Sequence, residues 1–279
     1  MRKAWLYSKV GIAPSKLLTL EEALTRLGFE IAAHPQYPSP SPLRRMDGVQ
    51  AARWADFAIA IGGDGTFLRA FHEVDGRIPI LGVNSGDSVG FLLECTLDRF
   101  EEAMRSIAEQ AFRIEDRLAG LVSTRGWSST FANEVVVASA HYGALIRAAV
   151  MLDDELIMDG RADGLIVSTP TGSTAYALSA GGPVVDPSLS AFALVPLAPF
   201  TATLKPYIAP ADKRLTIAVE GNCRAIVDGI LAQEFRNCEF SIARAPVSLK
   251  MIRLPHGESL KAKLTRRLLD TPPHRSPEL

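Results

Sequence analysis

No other stretch narrows the possible folds as much as Phe57 to Arg69. Phe57 to Ile61 is a short apolar run with β-branched residues that stops at two glycines, the pattern of a buried strand. Beyond Gly65, the run Thr66-Phe67-Leu68-Arg69-Ala70-Phe71 suits the start of a helix. A strand that feeds a helix through Gly62-Gly63-Asp64-Gly65-Thr66 is a phosphate-handling arrangement. Glycines let a phosphate approach the backbone, and a helix N-terminus supplies N–H groups and a positive partial charge. Asp64 is the anomaly, because a carboxylate repels phosphate unless it has its own task, such as accepting a proton or holding a magnesium ion. The same residues also suit an ordinary tight turn. They are not a dinucleotide fingerprint, since Leu68 stands where a third glycine belongs, and not a P-loop, since no Gly-Lys-Ser/Thr follows.

The chain has 279 residues, enough for two compact units. Hydrophobic residues make up 47% and charged residues 22%, as in an ordinary globular protein, and a formal net charge of −1 argues against a polycation for nucleic acid. Cys95, Cys223 and Cys238 are odd in number and share no close spacing, which points to a reducing compartment and a cytoplasmic protein. No His/Cys cluster has zinc-ligand spacing. The N-terminus lacks the apolar core of a signal peptide. The longest apolar run, Ala191 to Phe200, is broken by Pro196 and Pro199, so no membrane span is expected.

Along the chain, Ala4 to Tyr7 reads as a first strand. Leu17 to Leu27 reads as a helix with Thr19 at its start and Gly28 at its end, and Phe29 to Ala32 as a second strand, the rhythm of a parallel sheet. Tyr37 to Pro42 reads as a loop, or as the edge of a flexible lid. Ile78 to Val83 is a further strand, and Leu97 to Ile107 an amphipathic helix. In such sheets ligands bind outside the carboxyl ends of the strands. From about Arg113 the rhythm changes to short strands: Leu118 to Thr124, Phe131 to Ala138, Leu145 to Leu152, Leu156 to Met158, Leu165 to Val167, Leu215 to Val219, Arg224 to Val227, Cys238 to Ile242 and Val247 to Ile252. That spacing suggests a β-sandwich. Ser259 to Leu269 reads as a Lys/Arg-rich helix, and Asp270 to Leu279 as a disordered tail. The expected organisation is an α/β domain over 1–112 with a Rossmann-like parallel sheet, a β-rich domain over 113–252, and a helix and tail over 253–279 returning to the first domain.

Gly86-Asp87-Ser88-Val89-Gly90 also matches the nucleophile elbow of serine hydrolases, with Ser88 as nucleophile and Asp212 or Asp228, then His256, in matching order. An elbow leads straight into a helix. Here Gly90 to Thr96 intervenes, so the context fails.

Three stretches stand together in a fixed order. They are Gly62-Gly63-Asp64-Gly65-Thr66, then Phe131-Ala132-Asn133-Glu134-Val135, then Asp163-Gly164-Leu165-Ile166-Val167-Ser168-Thr169-Pro170-Thr171-Gly172-Ser173-Thr174-Ala175-Tyr176. In order and spacing they closely resemble the NAD kinases, from about Phe57 to about Pro199. The first motif is shared with diacylglycerol-type lipid kinases and phosphofructokinases; the second and third select the NAD branch. The resemblance implies transfer of a phosphoryl group from ATP, or polyphosphate, to the 2′-hydroxyl of the adenosine ribose of NAD, giving NADP, with Mg²⁺ or another divalent cation held mainly by the donor phosphates. It implies Asp64 as proton acceptor or metal ligand, and Gly62, Gly63, Gly65 and Thr66 as the donor phosphate loop. NAD would be contacted by Asp64, Gly65, Phe91, Asn133, Glu134, Thr171, Thr174, Ala175, Tyr176, Ser179 and Ala198, in a cleft between the two domains. Arg161 and Asp163 match positions near the nicotinamide end or a neighbouring subunit. A homo-oligomer, dimer or tetramer, is implied, with no nucleic-acid or membrane partner.

The residues themselves carry part of this. Asn133 and Glu134 are polar side chains in an otherwise apolar run and need partners, supplied by a turn or by a ligand. Phe91 would serve equally as a core side chain. One departure concerns Gly229-Ile230, which stands after the Asp228 strand where family members often carry a polar side chain near the ligand. A non-catalytic NAD sensor and a lipid or sugar-phosphate kinase are the competing readings. An intact Asp64 loop weighs against the first, and Asn133-Glu134 against the second.

Overall fold

The computed structural model describes residues 2–86, 90–200 and 202–269, with side chains to 266. Ser88, the elbow serine, and the tail from Asp270 to Leu279 lie outside the described residues. The chain divides into two compact units, residues 1–115 with 250–279, and residues 116–249.

The first unit is built on a twisted sheet whose strands lie in the order Arg44–Arg45, Glu30–Ala33, Lys3–Ser8, Phe57–Gly62, Ile80–Asn84, Leu249–Arg253 and Arg113–Arg117, with Cys95–Thr96 beside Ile80–Asn84. The pairings from Arg44–Arg45 to Leu249–Arg253 are parallel. Phe57–Gly62 is buried along its whole length, which explains its unbroken apolar sequence. The order of strands reverses between Lys3–Ser8 and Phe57–Gly62, so a crevice opens at their carboxyl ends. The strand expected over Val247 to Ile252 among the antiparallel strands instead lies at Leu249–Arg253, with Met251 opposite Ile80.

The helix Pro14–Arg26 buries Leu17, Leu20 and Leu24 against this sheet. It starts at Pro14 rather than Thr19, because proline at the first helical position gives up no helix hydrogen bond. Thr19 instead donates from Oγ1 to the Ser15 carbonyl, one turn back. The Pro-rich loop from Tyr37 to Pro42 is tied down rather than standing as a lid edge. Arg45 donates to the carbonyls of Tyr37 and Ser39 at 2.8 and 2.9 Å, and the Ser41 hydroxyl donates to the buried Glu21 carboxylate. The short helix Gly48–Trp54, absent from the sequence reading, is marked by an Asp47/Gln50 capping box.

The second unit is a ten-stranded antiparallel sheet folded into a sandwich. Its hinge is the strand Leu215–Val227, which sequence periodicity divides in two. Residues 215–220 pair with Ile146–Leu152, while residues 223–227 pair with Glu134–Ser139. The register breaks between Val219 and Asn222, where Gly221 takes φ 113°, a conformation open to glycine. One strand therefore serves both layers, and Phe131, Val137, Phe192, Ile217 and Phe240 fill the space between them. The apolar run Ala191 to Phe200 contains the strand Ala191–Leu197, in which Pro196 lies opposite Leu165. Trp127–Phe131 and Tyr207–Pro210 are further strands not read from the sequence.

Candidate functional site

Gly63 is the N-cap of the helix Asp64–Val74, with β-region backbone and no side chain capping it. The donor loop therefore presents the start of a helix at the strand-order reversal. Gly62 is dictated by packing, since a Cβ there would come within 2.3 Å of Thr66 Oγ1. Gly65 is different: a Cβ there would meet nothing within 4 Å. Gly63, Gly65 and Thr66 line a cleft of about 490 Å³ with Tyr7, Ser8, Lys9, His34 and Arg69. Ser8 Oγ is buried and has no hydrogen-bond partner. Lys9 and Arg69 give the cleft two cations that the sequence reading did not assign. Arg69 lies four residues beyond Gly65, one helical turn along the same face.

Asp64 turns its carboxylate onto the chain after Gly90. Oδ2 accepts the Phe91 N–H and Oδ1 the Leu92 N–H, both at 2.8 Å. The same segment is gripped from the C-terminal helix Leu260–Leu269, where Lys263 Nζ donates to the carbonyls of Phe91, at 3.1 Å, and Leu93. Lys263 is only 2% exposed. Burial, with a smaller push from Arg253, holds its amine down to about 8. Phe91 is itself buried, at 7% exposure. Next in the chain, Glu94 pairs with Arg253 at 2.6 Å and accepts the Leu254 N–H at 2.7 Å. Burial raises the Glu94 carboxyl above its ordinary range although Arg253 opposes it.

In the second unit, Asn133 and Glu134 sit at the head of strand Glu134–Ser139 and are both 7% exposed. Asn133 Oδ1 and Glu134 Oε2 are buried without a hydrogen-bond partner. Desolvation, and then the nearby Asp228 carboxylate, pushes the Glu134 carboxyl up to about 8. Asp228 builds this corner. Its Oδ2 accepts the Ala132 N–H at 2.8 Å, and Oδ1 accepts those of Asn133 and Glu134 at 2.8 and 3.0 Å. Asp228 has φ 49° and Gly229 φ 66°, so Asp228-Gly229-Ile230 forms a tight turn between two strands, closed by the Ile230 N–H on the Val227 carbonyl. Gly229-Ile230, the departure from the family pattern, is thus this turn.

The third motif is sewn to the second. Thr169 donates from Oγ1 to the Ala132 carbonyl at 2.6 Å, and its N–H donates to the Asn133 carbonyl at 2.8 Å. Gly172 lies so close to Asn133 that a Cβ would come within 2.2 Å of the Asn133 carbonyl oxygen. The 3₁₀ turn Gly172–Thr174 runs into the short helix Tyr176–Ser179. Several hydroxyls close the loop on itself: Ser173 donates to the Pro170 carbonyl at 2.7 Å and Thr174 to the Thr171 carbonyl at 3.2 Å. Thr171 and Thr174 are buried, Ala175 is half-buried, and Tyr176 and Ser179 are exposed.

Arg161, Asp163 and Ala198 do not join this group. Strand Gly164–Ser168 pairs Ser168 with Glu134 at one end and Gly164 with Leu197 at the other. The two ends are roughly 13 Å apart at the rise of a strand. At the far end, the Asp163 N–H donates to the Leu197 carbonyl and the Phe200 N–H to the Arg161 carbonyl. Ala198, between them, holds φ 41°, an unusual conformation for a residue with a Cβ.

A parallel-sheet unit with a glycine–aspartate helix start, combined with an antiparallel unit carrying orphaned polar groups, defines a nucleotide-handling phosphotransferase class. Residues 18–112 match the ATP-NAD kinase N-terminal domain, and residues 132–254 match the ATP-NAD kinase C-terminal domain. The NAD kinase of Gemmatimonas aurantiaca is 38% identical over 226 residues, covering 76% of this chain and 77% of that one. The NAD kinase of Thermococcus sibiricus is 40% identical over 230 residues, covering 81% and 80%. The crystal structure of an NAD kinase from Archaeoglobus fulgidus in complex with ATP superposes with a TM-score of 0.77 at 31% identity, covering 91% of this chain and 94% of that one. Yeast NADH kinase complexed with NADH shares the fold, with a TM-score of 0.82 at 20% identity, over 98% and 88% of the two chains. The chain belongs to the NAD kinase family.

Proposed function

We propose that the chain transfers the terminal phosphoryl group of ATP, or of polyphosphate, to the 2′-hydroxyl of the adenosine ribose of NAD, giving NADP. The observation that carries the coenzyme side is the pair of buried, unpartnered oxygens, Asn133 Oδ1 and Glu134 Oε2. Buried polar atoms without partners are rare in a folded chain, and a ligand that supplies hydroxyls resolves both at once. With its carboxyl pushed up to about 8, Glu134 is largely protonated at neutral pH and donates as well as accepts. A neutral acid beside an amide suits a ribose diol. Thr171, Thr174, Ala175, Tyr176 and Ser179 follow as the adenine and ribose contacts, since their loop is fastened to Asn133.

On the donor side, the phosphates are assigned to Gly62, Gly63, Gly65 and Thr66, with Ser8 Oγ, Lys9 and Arg69 lining the same cleft. The 2′-oxygen attacks the terminal phosphorus in line, the bond to the bridging oxygen breaks, and the nucleoside diphosphate or shortened polyphosphate leaves. The hydroxyl proton passes to Asp64. Each Asp64 oxygen already accepts one N–H, which fixes its direction, and keeps a second lone pair for that proton or for a metal. Among the described residues no group of three His, Cys, Asp or Glu side chains gathers for a metal ion. A Mg²⁺ ion would be held mainly by the donor phosphates, with Asp64 as its protein ligand in the alternative in which Asp64 does not take the proton, and would neutralise charge on the transferred group.

Arg161 and Asp163 are assigned to the nicotinamide end, or to a neighbouring subunit of a homo-oligomer, and Ala198 to a backbone contact with NAD. Among the described residues no helix is long and apolar enough to cross a membrane, and three free cysteines accord with a cytoplasmic place. The test is a panel of phosphoryl donors offered with NAD and Mg²⁺, with NADP read through a coupled dehydrogenase. Tight NAD binding with no turnover on any donor would identify a sensor instead. Displacement of NAD by diacylglycerol would move the chain to the lipid kinases.

A further inference from the structure

We propose that Lys263 is a positioning residue for Asp64, acting through the backbone of Phe91 to Leu93. The inference rests on the role given to Asp64 above. Three elements of the first unit hold this short segment. From one side Asp64 takes the N–H groups of Phe91 and Leu92 at 2.8 Å. From the other, Lys263 Nζ gives hydrogen bonds to the carbonyls of Phe91 and Leu93. Beneath, the Glu94 N–H donates to the Gly82 carbonyl at 2.8 Å. Strand Ile80–Asn84 admits the segment only because residue 82 is glycine, as a Cβ there would come within 2.6 Å of the Leu92 carbonyl oxygen.

The peptide group that joins Phe91 to Leu92 is therefore polarised from both ends, with Lys263 on its carbonyl and Asp64 on its N–H. An ammonium on the Phe91 carbonyl strengthens the Leu92 N–H that orients the Asp64 carboxylate, its bond to the Leu93 carbonyl holds the segment in place, and the field of the ammonium itself attracts that carboxylate. The arrangement also gives a reason for a buried lysine among the exposed side chains of Lys261, Thr265 and Arg266. Placing an ammonium at 2% exposure is unfavourable unless its donors are used, and they are used on this segment. The helix Leu260–Leu269 is thereby linked to the helix Asp64–Val74 through one stretch of main chain. A lysine that only anchored its own helix would have no reason to share the Phe91–Leu92 peptide group with Asp64.

A double-mutant cycle on the full chain separates the two roles. Lys263→Met keeps the length and apolar stem and removes the donors. It is expected to lower kcat for NADP formation by about 10- to 100-fold, the scale of a small misplacement of a reacting group. The fall in kcat should exceed any rise in the KM for NAD through Phe91, because the larger loss falls on the transition state. In an Asp64→Asn background the same change should cost little more, because its effect passes through the missing carboxylate. Far-UV circular dichroism and the melting temperature report on folding. If the methionine variant does not fold, Lys263→Gln, whose shorter neutral amide removes the ammonium, is expected to give a smaller fall in kcat that again vanishes in the Asp64→Asn background. An unchanged kcat in Lys263→Met overturns the proposal. So does a full, additive loss in the Asp64→Asn background, which is the signature of a merely structural lysine. If Asp64→Asn alone leaves kcat intact, the failure lies with the role of Asp64 itself.

Discussion

Glu134 is a carboxyl buried next to another carboxylate. It stands at the head of a strand, yet it is buried beside Asp228, a carboxylate held by three backbone N–H groups. Its carboxyl is raised from an ordinary 4.5 to about 8, so the folded chain keeps a proton that the unfolded chain has released. The native state binds more protons across that window, and the contribution to stability is present below about 4.5 and lost as pH rises towards about 8. Melting temperatures from pH 5 to 9 should therefore fall less steeply for Glu134→Gln than for the parent, with the variant the more stable near pH 8. Parallel curves would remove the buried acid from the account. Gly172 makes a second test at this scale. Alanine there would push its Cβ into the Asn133 backbone, at a cost of about 2 kcal/mol or more, and weaken NAD binding in the same variant. Asn133 and Glu134 were legible in the sequence because polar side chains interrupt an apolar run. Asp228 and Lys263 were not, because their partners lie 94 to 96 and 170 to 172 residues away along the chain.

At the scale of elements, the strand–loop–helix Phe57 to Val74 makes two glycines separable. Gly62 is packed against Thr66, whereas Gly65 has open space where a side chain would go. Gly62→Ala should lower stability by about 1–3 kcal/mol, as expected for overpacking. Gly65→Ala should change stability by no more than about 0.5 kcal/mol. It should nevertheless raise the KM for the phosphoryl donor, because the new methyl group occupies the space where phosphates approach the backbone. Urea unfolding and donor titrations on the two variants check this, and a Gly65→Ala enzyme with a normal donor KM would take the loop out of donor binding. The loop was legible because glycine and a change of hydrophobic period leave a local trace. The seven-residue helix Gly48–Trp54 is too short for a period, although its Asp47/Gln50 capping box was there to be read. The thirteen-residue strand Leu215–Val227 read as two because its bulge around Gly221 breaks the alternation.

At the scale of the whole molecule, the turn from βα rhythm to short strands near Arg113 gave the two kinds of architecture. What it could not give is the return of Leu249–Arg253 to the parallel sheet. An apolar strand carries no local mark of the sheet it will join, and that choice is made by tertiary pairing. The Archaeoglobus fulgidus NAD kinase solved with ATP has the same fold over 94% of its chain, so the account stands or falls on catalysis by this chain and not on its architecture. Catalysis here turns on whether Asp64 takes part in the transfer of the phosphoryl group to NAD. The direct measurement sets Asp64→Asn beside the parent, with NADP formation read by a coupled dehydrogenase and NAD affinity by calorimetry. The account predicts that kcat falls by about 100-fold or more while the Kd for NAD stays within about twofold. A variant that turns over at the parent rate with NAD and ATP would contradict it.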